Sequence, residues 1–247
     1  MNLRSLSPGL SPGGGPLYKQ VKSDVIGRIV AGAWNPGDRL PSETALAAEL
    51  GVSQGTVRKA FDELAAENVI LRHQGRGTFV SAHTPQRELF HFFHLVDGDD
   101  QRQLPMTARI LAAERRRATR DENERLDLAS GSRVIALERL RTLKGRPAIL
   151  ERIVLPAALF PGLGAEAEIP NELYQLLETD YGVTIHRAVE HLKAAAAPPA
   201  IAKHLSLPSG APILEIDRLA ETIDGTPVEW RVSYCDTRFH RYLSEIV

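Results

Sequence analysis

The sequence holds a single cysteine, Cys235, among 247 residues. That excludes an internal disulfide and any zinc site built from several thiolates. Long apolar runs are missing as well. No stretch reaches the roughly 20 residues that span a bilayer, and the first residues lack the apolar core of a secretion signal. A cytoplasmic chain with no membrane partner is expected. Net charge is −1, which excludes a strongly basic protein that coats nucleic acid. No nucleophile elbow, HExxH, P-loop or GxGxxG occurs, and Ser233 has no histidine beside it. Catalytic residues, cofactor and metal are therefore all expected to be absent.

What is present suits a packed core: 43% hydrophobic and 25% charged residues, a usual balance for globular proteins. The length fits two ordinary domains. Residues 1–15, MNLRSLSPGLSPGGG, are rich in Ser, Pro and Gly and are expected to form a disordered tail. The expected division continues with a domain at 16–81, a linker at 82–94 and a second domain at 95–247.

The densest local signals lie in LPSETALAAELGVSQGTVRKAFDELAAENVILRHQGRGTFV, residues 40–80. The stretch reads as two short helices joined by a tight turn, then a two-stranded wing. Upstream, Val21, Val25 and Ile29 make an apolar stripe on a preceding helix, and Asn35-Pro36-Gly37-Asp38 is a turn. Ser42 is placed to cap the second helix, with Glu43 in its first turn, where the helix dipole favours an anion. Leu46 and Leu50 share a face. Gly51 suits a left-handed helix end. Ser53 is placed to cap the third helix, whose Val57, Phe61 and Leu64 face inward. Gln54, Gly55, Thr56, Arg58 and Lys59 are left outside near its start, the layout of a helix entering a major groove. Strands at 69–71 and 78–80 then flank an expected tip, Arg72-His73-Gln74-Gly75-Arg76-Gly77. Its glycines allow the bend and its arginines suit phosphates. Residues 16–81 carry eight Lys and Arg against seven Asp and Glu, so binding by one copy should be weak and salt-sensitive.

LPSE, GVS..TVR and QGRGTFV, at these spacings, resemble the winged helix-turn-helix of the GntR family of bacterial transcription regulators. The resemblance implies a double-stranded operator as partner. It implies DNA contacts from Ser42, Thr44, Ser53, Gln54, Gly55, Thr56, Arg58 and Lys59, and from Arg72, Gln74, Gly75 and Arg76 on the wing. Thr44 and Gln54 stand where many members carry arginine, and of three arginines usually implicated only Arg58 is matched. Arginine most often reads guanine and glutamine pairs best with adenine. The operator is therefore expected to depart from the usual half-site at the base facing Gln54.

The second half alternates strands and short helices. Strands are expected at 106–117, 133–143, 148–155 and 183–194, helices at 121–128, 171–181 and 198–205, and a hairpin at 213–222 and 228–235 around Asp224-Gly225. Glu138-Arg139-Leu140 before Gly145-Arg146-Pro147 resembles Asp217-Arg218-Leu219 before Gly225-Thr226-Pro227. This weak internal repeat would give the sheet an approximate twofold. His91 and His94 sit three apart, where packing or solvent roles outweigh a metal pair. Asp97-Gly98-Asp99-Asp100 reads as a solvated loop. His186 and His191, five apart, fall on opposite faces of their strand.

Arg139 and Arg141 share one strand face with Ile135 and Leu137, about 7 Å apart. Two readings stand. The pair is aimed into an interior cavity and needs an anion, or it pairs with Glu138 or Glu151 on a solvated face. Glu151, Tyr174, Glu229, Arg231 and Tyr234 are further candidates, although Glu229 and Arg231 read equally well as a plain salt bridge.

GSRVIALERLRTLKGRPAILERIVLP, FPGL, ELYQLLETDYGV and GTPVEWRVSYCDTRF resemble the UTRA effector domain of the HutC subfamily. The whole chain is thus identified as α+β, a winged helix-turn-helix followed by an antiparallel sheet of the chorismate-lyase type. The resemblance implies a homodimer on a palindromic operator, commonly a repressor. It also implies a small-molecule effector held by arginines matching Arg139 and Arg141 and a tyrosine matching Tyr174. Glu172 stands where phosphosugar sensors commonly carry Ser or Thr. A carboxylate there repels phosphate, so a carboxylate-bearing or zwitterionic effector ranks above a phosphosugar. The alternative is an enzyme of chorismate-lyase-like fold acting on a small carboxylate.

Overall fold

A computed structural model describes residues 15–82, 94–96, 107–164 and 169–244. Most of the tail and linker, His91, the acidic loop 97–100 and Met106 lie outside the described residues. The chain divides into two compact units, Met1–Ala82 and His83–Val247.

The first unit is built on α1 (Leu17–Val30), α2 (Glu43–Leu50) and α3 (Gln54–Ala66). Val21 and Val25 of α1 and Val57, Ala60, Phe61 and Leu64 of α3 are fully buried. Each such aliphatic or aromatic side chain contributes roughly 1.5–3 kcal/mol on leaving water. The turn between α2 and α3 follows from two caps and one glycine. Ser42 Oγ accepts from the Ala45 amide at 3.1 Å and Ser53 Oγ from the Thr56 amide at 3.2 Å. Gly51 closes α2 at φ +67°, a conformation that costs a side chain energy.

The wing pairs β1 (Ile70–His73) with β2 (Gly77–Val80), from Ile70↔Val80 to His73↔Gly77. The tip is therefore only Gln74-Gly75-Arg76. Arg72 and His73, expected on the tip, belong to β1. Their side chains find partners: the Arg72 guanidinium meets Asp62 at 2.6 Å and Glu43 at 3.1 Å, and the His73 ring lies edge-on to Phe79 at 5.4 Å. A Cβ on Gly77, at φ +112°, would lie 2.8 Å from Arg39 Nε.

In the second unit six strands form one antiparallel sheet. They are β4 (Thr107–Arg117), β5 (Arg133–Leu143), β6 (Arg146–Pro156), β7 (Arg187–Ala196), β8 (Pro212–Glu221) and β9 (Pro227–Cys235). Their order is β4-β5-β6-β9-β8-β7. The two halves thus enter in opposite order, as a twofold between β6 and β9 requires. The register agrees, because Glu151↔Ser233 and Ile153↔Arg231 exchange under that operation. The strand expected at 183–194 begins later, at Arg187.

One face is covered by α5 (Leu173–Tyr181), whose Leu173, Tyr174 and Leu177 pack on Ile135, Leu137, Ile153 and Leu155. On the other face α6 (Pro199–Leu205) packs Ile201, Ala202 and Leu205 on Leu140 and Leu150. The short helix α4 (Arg120–Arg125) follows a capping box formed by Thr119 and Glu122. A ribbon of β3 (Leu95–Val96) and β10 (Arg241–Tyr242) sets Leu95 against Leu143, Ile149 and Cys235. Among the described residues no helix is long and apolar enough to cross a membrane.

Two glycine positions should respond with opposite sign. Gly77→Ala should cost the first unit about 1–3 kcal/mol through backbone strain. Gly55→Ala, helical with only Ser53 Oγ nearby at 3.8 Å, should stabilise it by about 0.5–1 kcal/mol. Thermal denaturation of the full chain reads both.

Candidate functional site

Period-two alternation along β5 turns Arg139 and Arg141 to the α5-covered face, beside Ile135 and Leu137. Arg139 is 0% exposed and Arg141 3%. The solvated-face reading is therefore overturned: both guanidiniums are buried. Strand register puts Glu151 directly opposite Arg139, and the two are hydrogen-bonded. The other Glu151 oxygen accepts from Arg231 at 3.1 Å and lies 3.6 Å from Arg141. Arg231 grips Glu229 with two donors, at 2.9 and 2.7 Å. The salt bridge anticipated there is real, and it is part of a larger buried network. Tyr174, from the start of α5, donates to Glu229 at 3.0 Å, and its ring lies 5.3 Å from the Arg231 guanidinium.

Arg218 and Glu190 belong to the same network. Arg218 donates to Glu190 at 2.7 Å and to the Tyr174 hydroxyl at 3.3 Å, while Tyr242 of β10 donates to the second Glu190 oxygen. A signal for Arg218 exists in the sequence. It is the repeat partner of Arg139, and the register bears this out: Arg139 faces Glu151, and Arg218 faces Arg231, the twofold equivalent of Glu151. Glu190 carries no such signal, because its counterpart opposite Arg139 is Ile110.

Among the described residues the cluster brings together the guanidiniums of Arg139, Arg141, Arg218 and Arg231 and the carboxylates of Glu151, Glu190 and Glu229. Burial opposes ionisation of Glu151, but Arg139, Arg231 and Arg141 together outweigh it and hold its carboxyl far below the usual range. Burial, helped by Glu229, pushes the Tyr174 phenol up to about 12. Asn171 links the cluster to the rim. Its carbonyl accepts from Arg139 at 3.3 Å, its side-chain oxygen accepts from Arg141 at 3.3 Å, and its amide donates to Glu172 at 3.2 Å.

A cavity of ≈ 30 Å³ opens on this cluster, lined by Arg141, Arg218, Arg231, Glu151, Glu190, Tyr174, Ser233 and the ribbon residues His94, Leu95 and Tyr242. That volume suits one or two water molecules. Arg139 is behind its wall. Tyr234, expected at this site, lies on the opposite face, its ring 5.8 Å from the Arg152 guanidinium. Strand alternation explains the correction, since Arg231, Ser233 and Cys235 are the β9 residues that face the cavity. Among the described residues no group of three or more His, Cys, Asp or Glu is placed to hold a metal ion.

The first unit offers a groove instead. Ser42, Thr44, Gln54, Arg72, Gln74 and Gly75 line it, together with Glu43 and Arg39. Arg39 escaped the sequence reading because it precedes the helices that carry the pattern. Gln54, Gly55 and Arg58 are exposed at the start of α3, and Arg76 is exposed at the wing tip. Ser53 and Thr56 hydroxyls bond each other at 2.9 Å at the start of α3. Lys59 is drawn aside onto the Tyr18 ring of α1, at 4.0 Å.

Removing Glu151 leaves buried guanidiniums uncompensated. Glu151→Gln should cost the second unit about 3–5 kcal/mol, read by urea denaturation of the full chain. Glu151 and Glu190 both ionise below their ordinary 4.5 when folded. Their stabilisation is therefore full above that pH and is lost as pH falls below it. Stability should be flat from pH 6 to 8 and decline below about pH 4.5, with a shallower acid limb in Glu151→Gln.

The bacterial regulatory protein profile of the gntR family matches residues 17–80, and the UTRA domain profile matches residues 101–241. The mannosyl-D-glycerate transport/metabolism system repressor MngR of Escherichia coli is 27% identical over 227 residues, covering 92% of this chain and 94% of its own. The histidine utilization repressor of Pseudomonas putida is 32% identical over 152 residues, 62% of this chain and 61% of its own. Among solved structures, the ligand-binding domain of a GntR-family regulator from Bordetella bronchiseptica superposes with a TM-score of 0.59. It is 30% identical and covers 64% of this chain and 99% of that one. PhnF of Mycobacterium smegmatis, 23% identical with a TM-score of 0.54 over 92% of this chain and 99% of that one, shares the fold. The chain belongs to the GntR family of bacterial regulatory proteins, in its HutC-like branch with a UTRA domain, and is a ligand-modulated DNA-binding transcriptional regulator rather than an enzyme.

Proposed function

We propose that this regulator is a homodimeric repressor of a palindromic operator, released or tightened by a small carboxylate-bearing or zwitterionic effector. The observation that carries the effector class is one buried cavity lined by three guanidiniums, those of Arg141, Arg218 and Arg231. Arginine favours a planar carboxylate, which it meets with two parallel donors. The half-buried Glu172 carboxylate, tied through Asn171 to Arg141, disfavours the greater charge of a phosphate.

The effector enters where the cavity is now small, so the β3–β10 wall must yield. That wall contains His94, Leu95 and Tyr242, and β3 follows the segment that joins the two units. A ligand that displaces Tyr242 from Glu190 therefore acts on the connection itself. A coupling of about 1–3 kcal/mol would change operator affinity 5- to 150-fold. On the DNA, α3 enters the major groove with Gln54, Gly55 and Arg58, and the wing brings Gln74, Gly75 and Arg76. Two such units suit half-sites about one helical turn, roughly 34 Å, apart.

Arg141 is the residue to remove, because it lines the cavity while Arg139 supports the fold. Arg141→Ala should retain operator binding and lose the effector response; an unchanged response would overturn the assignment. Arg58→Ala should weaken operator binding about ten-fold or more in a gel shift, and undiminished binding would contradict the role given to α3.

A further inference from the structure

Glu43 is out of place on a surface that meets phosphates. A carboxylate there repels the DNA backbone, and an exposed ion pair adds little stability in return. Its contacts supply a reason. One Glu43 oxygen accepts from Arg58 Nε at 3.0 Å, and the other accepts from Arg72 Nη2 at 3.1 Å. Arg72 in turn reaches Asp62 at 2.6 Å and the Arg58 carbonyl at 3.4 Å. Glu43 therefore joins the start of α2, the exposed side of α3 and the first wing strand. The Arg58 side chain remains 60% exposed and that of Glu43 only 21%. The carboxylate is tucked in, and the guanidinium it holds stays available.

We propose that Glu43 is a positioning residue for operator recognition, fixing the Arg58 guanidinium for base contact and holding the wing through Arg72. This rests on the DNA-facing role given to α3. Two other roles make different forecasts. A carboxylate placed only for the α2 dipole affects stability and not sequence discrimination. A carboxylate that competes with phosphate for the arginines weakens binding, so its removal tightens it.

The test uses the full chain, the operator that the wild-type chain selects from random duplex DNA, and a non-specific duplex of equal length. The readout is the ratio of the two affinities at fixed salt. Glu43→Gln should lower that ratio about ten-fold, the scale of one good base contact. Glu43→Asp keeps the charge but is too short to span both arginines, so it should lower the ratio too. Glu49→Gln, which removes a carboxylate of the same helix that bonds Arg28 instead, should change the ratio less than about two-fold, the usual range of surface substitutions. In an Arg58→Ala background Glu43→Gln should add a smaller loss than it causes alone, because only its hold on Arg72 is then left to lose. A ratio equal to or above wild type in Glu43→Gln and Glu43→Asp overturns the inference. If Arg58→Ala itself keeps the ratio, the DNA-facing role of α3 fails and the inference falls with it.

Discussion

Among the described residues, the arginines and glutamates buried together on one face of the sheet are the constraint to which the second unit is fitted. A buried guanidinium is tolerated only with a carboxylate or an acceptor at hydrogen-bond distance. Each surrounding element meets part of that demand. β6 supplies Glu151, β9 supplies Glu229, β7 supplies Glu190, and the start of α5 supplies Tyr174 and the Asn171 carbonyl before it. The ribbon supplies Tyr242. A network that involves this many segments of chain is expensive as plain architecture, since apolar side chains of similar volume would pack with less desolvation. The proposed role in receiving a charged ligand would account for its retention.

The twofold order of the sheet shows how the network arises from a repeat. Arg139 and Arg218 are equivalents, as are Glu151 and Arg231. Arg231 stands where the first half has Glu151, and Glu190 where it has Ile110. Both line the cavity, so the site is built from the difference between two similar halves and not from either half alone.

Most of the architecture was legible because local signals agreed with one another. Ser42, Gly51 and Ser53 punctuate the helices, and Lys144-Gly145, both at positive φ, mark the turn between β5 and β6. The wing misled at Arg72 and His73, whose polarity suggests a turn. Their strand placement depends on Glu43, Asp62 and Phe79, which are distant in sequence. Tyr234 was misplaced by residue type, although counting by twos from Glu229 and Arg231 puts it on the far face. Arg218 was visible only as half of a repeat. Glu190 and Tyr242 were not visible, because long-range pairing of β7 with β8 and of β10 with β3 makes them neighbours. Lys59 shows the limit of charge counting, since an aromatic ring one helix away decides where its ammonium rests.

The proposal that the arginine-lined cavity takes an anion is tested most directly with matched ligands. Small carboxylic acids and their primary amides have nearly the same shape and differ by one negative charge. Thermal melting of the full chain across such pairs should find acids that raise the transition of the second unit while their amides do not. Amides that stabilise as well as the acids they mirror would contradict the claim that the site is built to take an anion.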